Sequence, residues 1–369
     1  LMATYELTRA EARLTAGLVA GDELKTLALQ FGVSYNTVRT QLRSVLGKLG
    51  LQRQNELLAK ILSDPLVTLR TATDTPLTPA FNAIVLPDGR RLAWCEYGPA
   101  DGYPVVVSHA SLWSRLQRHP DAGALERHRI RLIVPDRPGY GRSDPQPGRG
   151  LLDWPGDVSV LMDHLGIERF SVVGIMLGGD YALAAAKAMP QRVAQVVLLG
   201  SRVSQVLCSD CPPGPRAVRV LERLSVTYPR LLTTALQSVF REMLRKPDTF
   251  VTKVLPVLGP KDQEIWEKGE LQPLFLAAFR EANRQGLAKA VVDDWAVLTA
   301  PWPFAPEDIA APVTIWHGRE DSLCPVEHIE NLASRLPNCR LHIIEDGNSY
   351  VFMHQWEDAL RCLSDGKDR

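Results

Sequence analysis

From residue 82 onward, short runs of β-branched and aliphatic residues alternate with stretches of helical spacing. Clear examples are VVVSHA at 105–110, RLIVPD at 131–136, FSVVGI at 170–175 and VVLLG at 196–200. Parallel strands need long crossover connections, usually helices, and those helices cover the faces of the sheet. The alternation therefore predicts an α/β fold built on a parallel sheet.

The first 63 residues differ from the rest, because their apolar residues recur at three- and four-residue spacing, as in short amphipathic helices. The stretch 64–80 is rich in Thr and Pro and has no helical period, so we interpret it as a linker. The α/β core is predicted over 81–204 and 306–365, and the stretch 205–305 between them is helical, broken by prolines and out of step with the sheet.

Composition excludes several classes of protein. The net charge of the 369 residues is zero, so any nucleic-acid-binding surface has to be local. No apolar run approaches the roughly 18 to 20 residues of a membrane span, and the N-terminus lacks the layout of a secretory signal. The six cysteines are scattered, which favours reduced thiols, and the single C-x-x-C at 208–211 lacks partners for a zinc site. We expect a cytoplasmic protein with no membrane partner, no metal and no cofactor.

Residues 24–49 have the pattern of a helix-turn-helix. A short helix is predicted from Leu24 to Gln30, and a tight turn with Gly32 follows it. Ser34 is a typical N-cap for a second helix that ends near Leu49. Between positions 25 and 54 there are five basic residues and no acidic one, which is a local positive surface in a neutral protein. The second helix can thus enter a DNA major groove, and the predicted DNA-binding residues are Ser34, Asn36, Thr37, Arg39, Thr40, Gln41, Arg43 and Lys48.

This segment strongly resembles the DNA-binding module of the LuxR family of bacterial transcription regulators. The family pattern runs L-T-x-x-E, G-x-S-x-x-T-V-x-x-x-L, K-L-G and R-x-E-L. Gln41 stands where the family often carries histidine, and Asn55 intervenes before Glu56 and Leu57. The matching residues are Leu7, Thr8, Glu11, Gly32, Ser34, Thr37, Val38, Leu42, Lys48, Leu49, Gly50 and Arg53.

The resemblance implies a DNA-binding domain over residues 1–63. A module of this size buries only about 600 to 1,000 Å² on DNA, and specific sites usually need two copies about 10 bp apart. We therefore expect a homodimer on a promoter operator. The alternative is a small helical packing domain, which gives no reason for a basic run without acidic residues. The module is C-terminal in most of the family, so the sequence is compatible with a further domain before it.

From about residue 80 to residue 365, the chain resembles the α/β-hydrolase fold family along nearly its whole length. PDRPGYGRSD at 135–144 matches the family's loop after a central strand, and HASLWS at 109–114 stands at its oxyanion loop. Gly174, Gly178 and Gly179 match the sharp strand-to-helix turn, the nucleophile elbow, that carries the family's catalytic serine. The resemblance implies an α/β-hydrolase fold in which 205–305 form a helical cap over the pocket.

Two of the family's three catalytic positions are occupied by residues that cannot act as nucleophile or base. Met176 replaces the nucleophilic serine and Asn348 replaces the histidine, while Asp321 keeps the acid. A thioether has no proton to lose and an amide is no base at neutral pH, so the Ser-His-Asp mechanism cannot run. Two independent losses favour a natural pseudo-enzyme over one engineered change. We favour Asp321 as an acceptor for loop N–H groups over a catalytic role, and we weigh His354 as a substitute base.

The remaining frame suits binding. The N–H groups of Leu177 and Ala110 can still donate to a carbonyl or carboxylate oxygen. Methionine is polarizable and lines apolar pockets, and asparagine donates and accepts hydrogen bonds without a change of charge. The predicted ligand-binding residues are His109, Ala110, Ser111, Met176, Leu177 and Asn348.

The sequence thus favours a DNA-binding transcription regulator whose hydrolase-fold domain senses a small, mostly apolar ligand without hydrolysing it. The ligand is expected to close the cap or to change the dimer arrangement, and so to alter the spacing of two DNA-binding heads. An active hydrolase with unorthodox catalytic residues and an accessory DNA-binding module is the alternative, and an interaction scaffold is a third. Turnover of short-chain esters identifies the enzyme, and binding of a promoter fragment separates the regulator from the scaffold.

Overall fold

The structure is a computed structural model of the chain, and it describes residues 7–19, 24–31, 33–51, 56–57, 81–202, 210–246, 260–267, 269–321 and 323–365. The chain divides into two compact units, Leu1–Leu77 and Thr78–Arg369, each with a hydrophobic core of its own. The predicted linker at 64–80, Gly32 of the predicted turn and Cys208 lie outside the described residues.

The N-terminal unit is helical and contains α1 (Arg9–Val19), α2 (Leu24–Phe31) and α3 (Tyr35–Leu49). The Ser34 side chain accepts the N–H of Thr37 and caps α3, and Gly50 ends that helix with a φ of +66°. The helices therefore begin and end close to where capping and spacing predicted. Their apolar faces meet in one core, whose fully buried members include Leu14, Leu27, Val38, Val45 and Leu57.

The second unit is built on an eight-stranded sheet with the order β1-β2-β4-β3-β5-β6-β7-β8. The two pairs that β2 makes, with β1 and with β4, are antiparallel, and the other pairs are parallel. The strands are β1 (Asn82–Val85), β2 (Arg91–Tyr97), β3 (Tyr103–Ser108), β4 (Ile130–Pro135), β5 (Phe170–Ile175), β6 (Val193–Leu199), β7 (Val313–Gly318) and β8 (Cys339–Ile344). Every residue of β5 and β7 is buried, as expected for inner strands of a covered parallel sheet.

Helices connect the strands, and a helical insertion separates β6 from β7. The connecting and terminal helices are α4 (Gly123–His128), α5 (Asp153–His164), α6 (Gly178–Ala188), α12 (Val326–Arg335) and α13 (Trp356–Asp365). The insertion contains α7 (Arg216–Thr227), α8 (Pro229–Arg245), α9 (Pro260–Glu267), α10 (Leu271–Ala282) and α11 (Leu287–Thr299). The predicted α/β-hydrolase fold with inserted helices is confirmed.

Buried carboxylates anchor α10 and α11 to the sheet unit. Asp294 on α11 has no exposed surface, and it accepts hydrogen bonds from Arg137 Nη2 at 2.7 Å and from the Tyr140 and Tyr181 hydroxyls at 2.8 Å. Glu281 on α10 accepts one from Arg115 Nη2 at 2.5 Å. Breaking a buried ion pair costs about 3–5 kcal/mol, so these two helices are part of the fixed frame.

Two further features bear on the sequence predictions. Cys95, Cys324, Cys339 and Cys362 are reduced thiols, as expected, whereas Cys211 is disulfide-bonded, in contrast to the expectation. Within the described ranges, no helix is both long enough and apolar enough to cross a membrane.

Candidate functional site

Met176 stands at the apex of the turn between β5 and α6. Its φ is +50°, a left-handed conformation that is uncommon for a residue with a side chain. Its N–H donates to the carbonyl of Leu199 over 3.2 Å, and its own carbonyl accepts the N–H groups of Gly179 and Arg202. Such strain persists only where the surroundings enforce it. The strained turn predicted from the glycine frame is present, with a half-buried thioether in the position of the nucleophile.

The glycines of the turn are required by close packing. A Cβ on Gly178 would lie 1.8 Å from the carbonyl oxygen of Ser108, and a Cβ on Gly174 would lie 2.7 Å from the Cα of Gly179. The start of α6 is therefore pressed against the end of β3, which any larger residue would prevent. The same contact brings the Leu177 N–H, at the N-terminus of α6, next to the loop that follows β3.

The loop after β3 differs from its prediction at Ala110. The Ala110 N–H donates to Oε1 of Gln117 over 2.6 Å, and both residues are buried. This amide is therefore engaged, and a ligand would have to displace Gln117 to use it. Ser111 and Leu112 follow in half-buried positions, and Leu112 has a φ of +66°. No local pattern in 109–118 predicts this contact, because Gln117 is one of several polar residues there.

His109 lies under this loop and has no exposed surface. Its Nδ1 is 2.8 Å from the carbonyl oxygen of Ala110, and its Nε2 is 3.2 Å from the N–H of Arg137. Burial, together with the positive charge of Arg137, lowers the pKa of His109 well below 6.5, so the ring is neutral. In contrast to its prediction as a ligand contact, His109 joins the loops after β3 and β4.

Asp321 follows β7 and holds the loops around it. Its Oδ1 accepts the N–H groups of Leu323 at 2.7 Å and Cys324 at 3.0 Å, as predicted for a loop acceptor. It also accepts the Ser349 hydroxyl at 2.7 Å, a contact that the sequence did not reveal. The other carboxylate oxygen, Oδ2, is buried and has no hydrogen-bond partner among the described residues.

Asn348 lies beside this acid loop. A Cβ on Gly318 would lie 2.3 Å from the backbone nitrogen of Asn348, which shows how closely the loops after β7 and β8 pack. The Asn348 side chain is buried, and its Oδ1 accepts the N–H of Tyr350 at 3.4 Å. Its Nδ2 has no partner in the described part of the chain. A buried donor and a buried acceptor are thus unsatisfied at the two remaining triad positions, and a polar ligand group could satisfy either.

Two histidines are candidates for the missing base. His317 Nε2 is 3.8 Å from Oδ2 of Asp321, beyond hydrogen-bonding distance, and it contacts the carbonyl oxygen of Cys324 at 3.0 Å. His354, weighed above as a substitute base, is exposed, whereas Asp321 is 6% exposed.

Aromatic rings pack where the loops after β3 and β8 meet α10. The edge of Trp113 contacts Phe275 and Phe352, with ring centroids 5.4 and 6.4 Å apart, and all three rings are buried. Two cavities, of about 980 Å³ and 820 Å³, lie elsewhere, the first between β6–β8 and α13 and the second beside α11. Met176, Leu177 and Asn348 line neither of them.

In the N-terminal unit, α3 exposes the face that was predicted from the sequence to bind DNA. Val38 and Val45 are fully buried on its inner side. The hydroxyls of Ser34 and Thr37 contact each other at 2.8 Å within the helix cap. The predicted residues on the exposed face are Asn36, Thr37, Arg39, Thr40 and Arg43, and Gln41 is half-buried.

Lys48 has a structural partner within the same unit. Its ammonium group contacts the carboxylate of Glu11 at 2.7 Å, and the same carboxylate accepts the Ser44 hydroxyl and the Thr8 N–H. Bonds from Lys48 first, then Ser44, lower the pKa of Glu11 from 4.5 to about 2. The structure therefore gives Lys48 a role in joining α3 to α1, which differs from the DNA contact predicted for it.

Comparison with known proteins concerns the second unit. The sequence profile of the α/β hydrolase fold matches residues 104–354. Among curated relatives, 2-hydroxymuconate semialdehyde hydrolase of Pseudomonas putida is 26% identical over 78% of this chain and 94% of its own. 2-Hydroxy-6-oxo-6-phenylhexa-2,4-dienoate hydrolase of Burkholderia cepacia is 25% identical over 70% of this chain and 84% of its own.

Solved structures agree on the fold. The enol-lactonase from Burkholderia xenovorans LB400 superposes with a TM-score of 0.57 at 18% identity, over 78% of this chain and all of its own. A hydrolase from Pseudomonas aeruginosa PA01 gives a TM-score of 0.56 at 21% identity, over 78% of this chain and 98% of its own. The strand order, the elbow and the matched profile lead to one conclusion: this chain belongs to the α/β hydrolase fold family.

Proposed function

We propose that the α/β unit binds a small carbonyl compound without cleaving it by a Ser-His-Asp mechanism, and that the N-terminal unit binds DNA. The observation that carries the first part is Met176 at the apex of an intact elbow, with a φ of +50°. The turn keeps its strained geometry and its following amide, but the atom that would attack a carbonyl carbon is absent. Loss of such groups typically lowers turnover by about a millionfold.

The surviving polar groups suit an oxygen-rich ligand. The Leu177 N–H lies at the N-terminus of α6, where the helix dipole favours a carbonyl or carboxylate oxygen. Asn348 Nδ2 is a second, buried donor without a partner in the described chain. Because the Ala110 N–H is already bound to Gln117, a ligand receives fewer backbone hydrogen bonds than in the predicted oxyanion loop.

The relatives indicate a ligand class. They are named for hydrolysis of hydroxy-oxo-dienoates and a hydroxymuconate semialdehyde, which combine an unsaturated chain with carbonyl and carboxylate groups. Buried aromatic rings beside the loops of the site, such as Trp113 and Phe352, are compatible with an unsaturated or aromatic chain. We therefore propose an unsaturated oxo-acid or its lactone as the ligand.

The DNA-binding part of the proposal rests on α3. Arg39 and Arg43 are exposed on the outer face of a capped helix that follows α2 after a short turn. Exposed arginines on such a helix can reach base edges in a major groove, and two copies would give specificity. Regulation by a ligand would then couple this unit to the α/β unit in a homodimer.

The alternative is an active hydrolase that uses other residues and carries an accessory DNA-binding module. The comparisons support this alternative more directly than they support a regulator, because the relatives and structures described above are hydrolases or a lactonase. Against it stand the chemistry of Met176 and Asn348 and the exposed position of His354. Turnover therefore decides between the two.

The test uses the purified full chain with 2-hydroxy-6-oxo-6-phenylhexa-2,4-dienoate and with a short-chain p-nitrophenyl ester. The expected result is saturable binding of the dienoate by calorimetry without loss of its absorbance. Leu177→Trp should abolish binding, and Leu152→Trp, at a 41% exposed position outside the site, should not. Turnover above background that Asp321→Asn or His354→Ala removes would establish the hydrolase instead.

The DNA-binding part has its own test. The full chain is used to select duplexes from a random pool, and binding of the selected duplex is measured by fluorescence anisotropy at moderate salt. We expect enrichment of a two-fold symmetric site with half-sites about one helical turn apart. Failure to enrich any sequence would refute this part and leave the ligand proposal standing.

A further inference from the structure

Two helices of the α/β unit have an outer surface rich in arginine. No ion pair or hydrogen bond joins the side chains of six exposed arginines on α7 and α8 to another residue in the described ranges. The acidic residues of the same helices are used elsewhere, since Glu222 pairs with Arg202 and Glu242 pairs with Lys246. A neutral chain therefore carries a local positive surface, formed by Arg216, Arg219, Arg223, Arg230, Arg241 and Arg245.

Apolar side chains protrude where α7 meets α8. Val226, Tyr228 and Leu231 are 58, 62 and 66% exposed, and we call them the α7–α8 corner. Arg223 and Arg230 stand beside them in the sequence. Five of the ten large apolar residues that are exposed in the described chain belong to these two helices and their junction, so the concentration is not an average surface property.

The apolar corner is not required for packing of the helices. The inner side of α8 is already buried through Leu232, Phe240 and Met243. The outer side exposes Leu231 and Val239, which are eight residues apart and hence on the same face. Each helix packs one apolar face against the core. On its outward surface, arginine and aliphatic residues are interleaved.

We propose that the α7–α8 corner docks on an anionic lipid surface. In this arrangement Val226, Tyr228 and Leu231 enter the headgroup region, and the neighbouring arginines bind lipid phosphates. Aliphatic and aromatic side chains with flanking basic residues are the composition that binds at a membrane interface without spanning it. The proposal revises the expectation of no membrane partner for this chain.

Charge and polarity argue against two other partners. A second copy docked through the same corner would bring two arginine-rich surfaces together, and their like charges repel. A nucleic acid would bind the arginines through its phosphates, but the apolar side chains of the corner would make no favourable contact with a phosphate backbone. An acidic protein with an apolar patch is the remaining partner, and the test below separates it from a lipid surface.

The test measures cosedimentation of the full chain with vesicles of phosphatidylcholine, with and without one third phosphatidylglycerol. Wild-type protein should bind the anionic vesicles, bind neutral ones weakly, and dissociate as salt is raised. Arg223→Gln with Arg230→Gln should weaken partitioning about 25-fold, at about fivefold for each basic residue. Val226→Ser with Tyr228→Ser and Leu231→Ser should abolish binding, whereas a purely electrostatic contact would survive these changes.

Control variants show whether vesicle binding depends on the α7–α8 corner. Val85→Ser removes an apolar side chain that is 73% exposed on β1, and it should leave partitioning unchanged. Arg39→Gln with Arg43→Gln, in the N-terminal unit, should also leave it unchanged, and Arg223→Lys with Arg230→Lys should preserve most of it. Retention of wild-type partitioning by the serine variant would overturn the proposal. So would a wild-type protein that ignores anionic vesicles, including one that instead binds an acidic protein through the corner.

Discussion

Replacement of Asp294 by Asn tests how firmly α11 is anchored to the sheet unit. Asp294 and Arg137 have no exposed side-chain surface, and the Arg149 side chain is 3% exposed. Burial alone would raise the pKa of this carboxyl group, but Arg137 and Arg149 outweigh it, so that the pKa lies below 3.8. The carboxylate is therefore the negative charge that neutralises two buried guanidinium groups.

The expected destabilisation follows from that arrangement. Asn keeps the volume of the side chain but removes the charge and turns an N–H₂ group toward groups that also donate. Breaking a buried ion pair by changing one partner costs about 3–5 kcal/mol, because the other charge stays buried without compensation. This is a large part of the roughly 5–15 kcal/mol that stabilises a typical domain.

The assay is urea unfolding followed by tryptophan fluorescence. All eight tryptophans lie between positions 94 and 356, so the signal reports on the α/β unit alone. Asp293→Asn is the matched control, since Asp293 forms an i,i+4 pair with Lys289 and its loss should cost less than about 0.5 kcal/mol. In the wild type, the Asp294 contribution is fully present above pH 3.8 and is lost as pH falls through the lowered pKa. A loss below about 1 kcal/mol for Asp294→Asn would refute the anchoring role.

Three further outcomes are expected. Met176→Ser together with Asn348→His should restore measurable hydrolysis of p-nitrophenyl acetate, and neither change alone should, since triad residues act as a unit; activity in either single variant would contradict this. Arg39→Ala should cost about 1–3 kcal/mol at a selected DNA site by anisotropy if it reads a guanine, and unchanged affinity would remove it from the groove. Lys48→Ala should raise hydrogen exchange in α1 and α3 without the decrease of about one in salt slope that loss of a phosphate contact produces, because Lys48 is paired with Glu11. The Glu11 contribution is present above pH 4.5 and lost as pH falls toward 2, so exchange that is insensitive to acid in this range would contradict the pairing.

The sequence by itself determined the class of fold and the position of the elbow. Alternating apolar runs and helical spacing are local properties, so they identified the strands around 105–108 and 170–175 and the helix that Ser34 caps. The triad positions could also be predicted from the sequence. The glycines around Met176 mark the elbow, because they are needed where the start of a helix packs closely against a neighbouring strand. Sequence spacing was also enough to predict that Asn348 takes the place of a base, and the structure puts its backbone against the loop after β7.

Tertiary structure alone decided which polar groups are engaged. Gln117 takes the Ala110 N–H, Ser349 donates to Asp321, and Lys48 pairs with Glu11 across a separation of 37 residues. Asp294 meets Arg137 from a helix more than 150 residues away in the chain. Such pairings have no signature in local spacing, because a hydrogen bond or ion pair depends on distance and burial in the folded chain. The sequence could therefore specify which residue types occupy the elbow and the acid loop, whereas only packing fixed which donors and acceptors stay unpaired among the described residues.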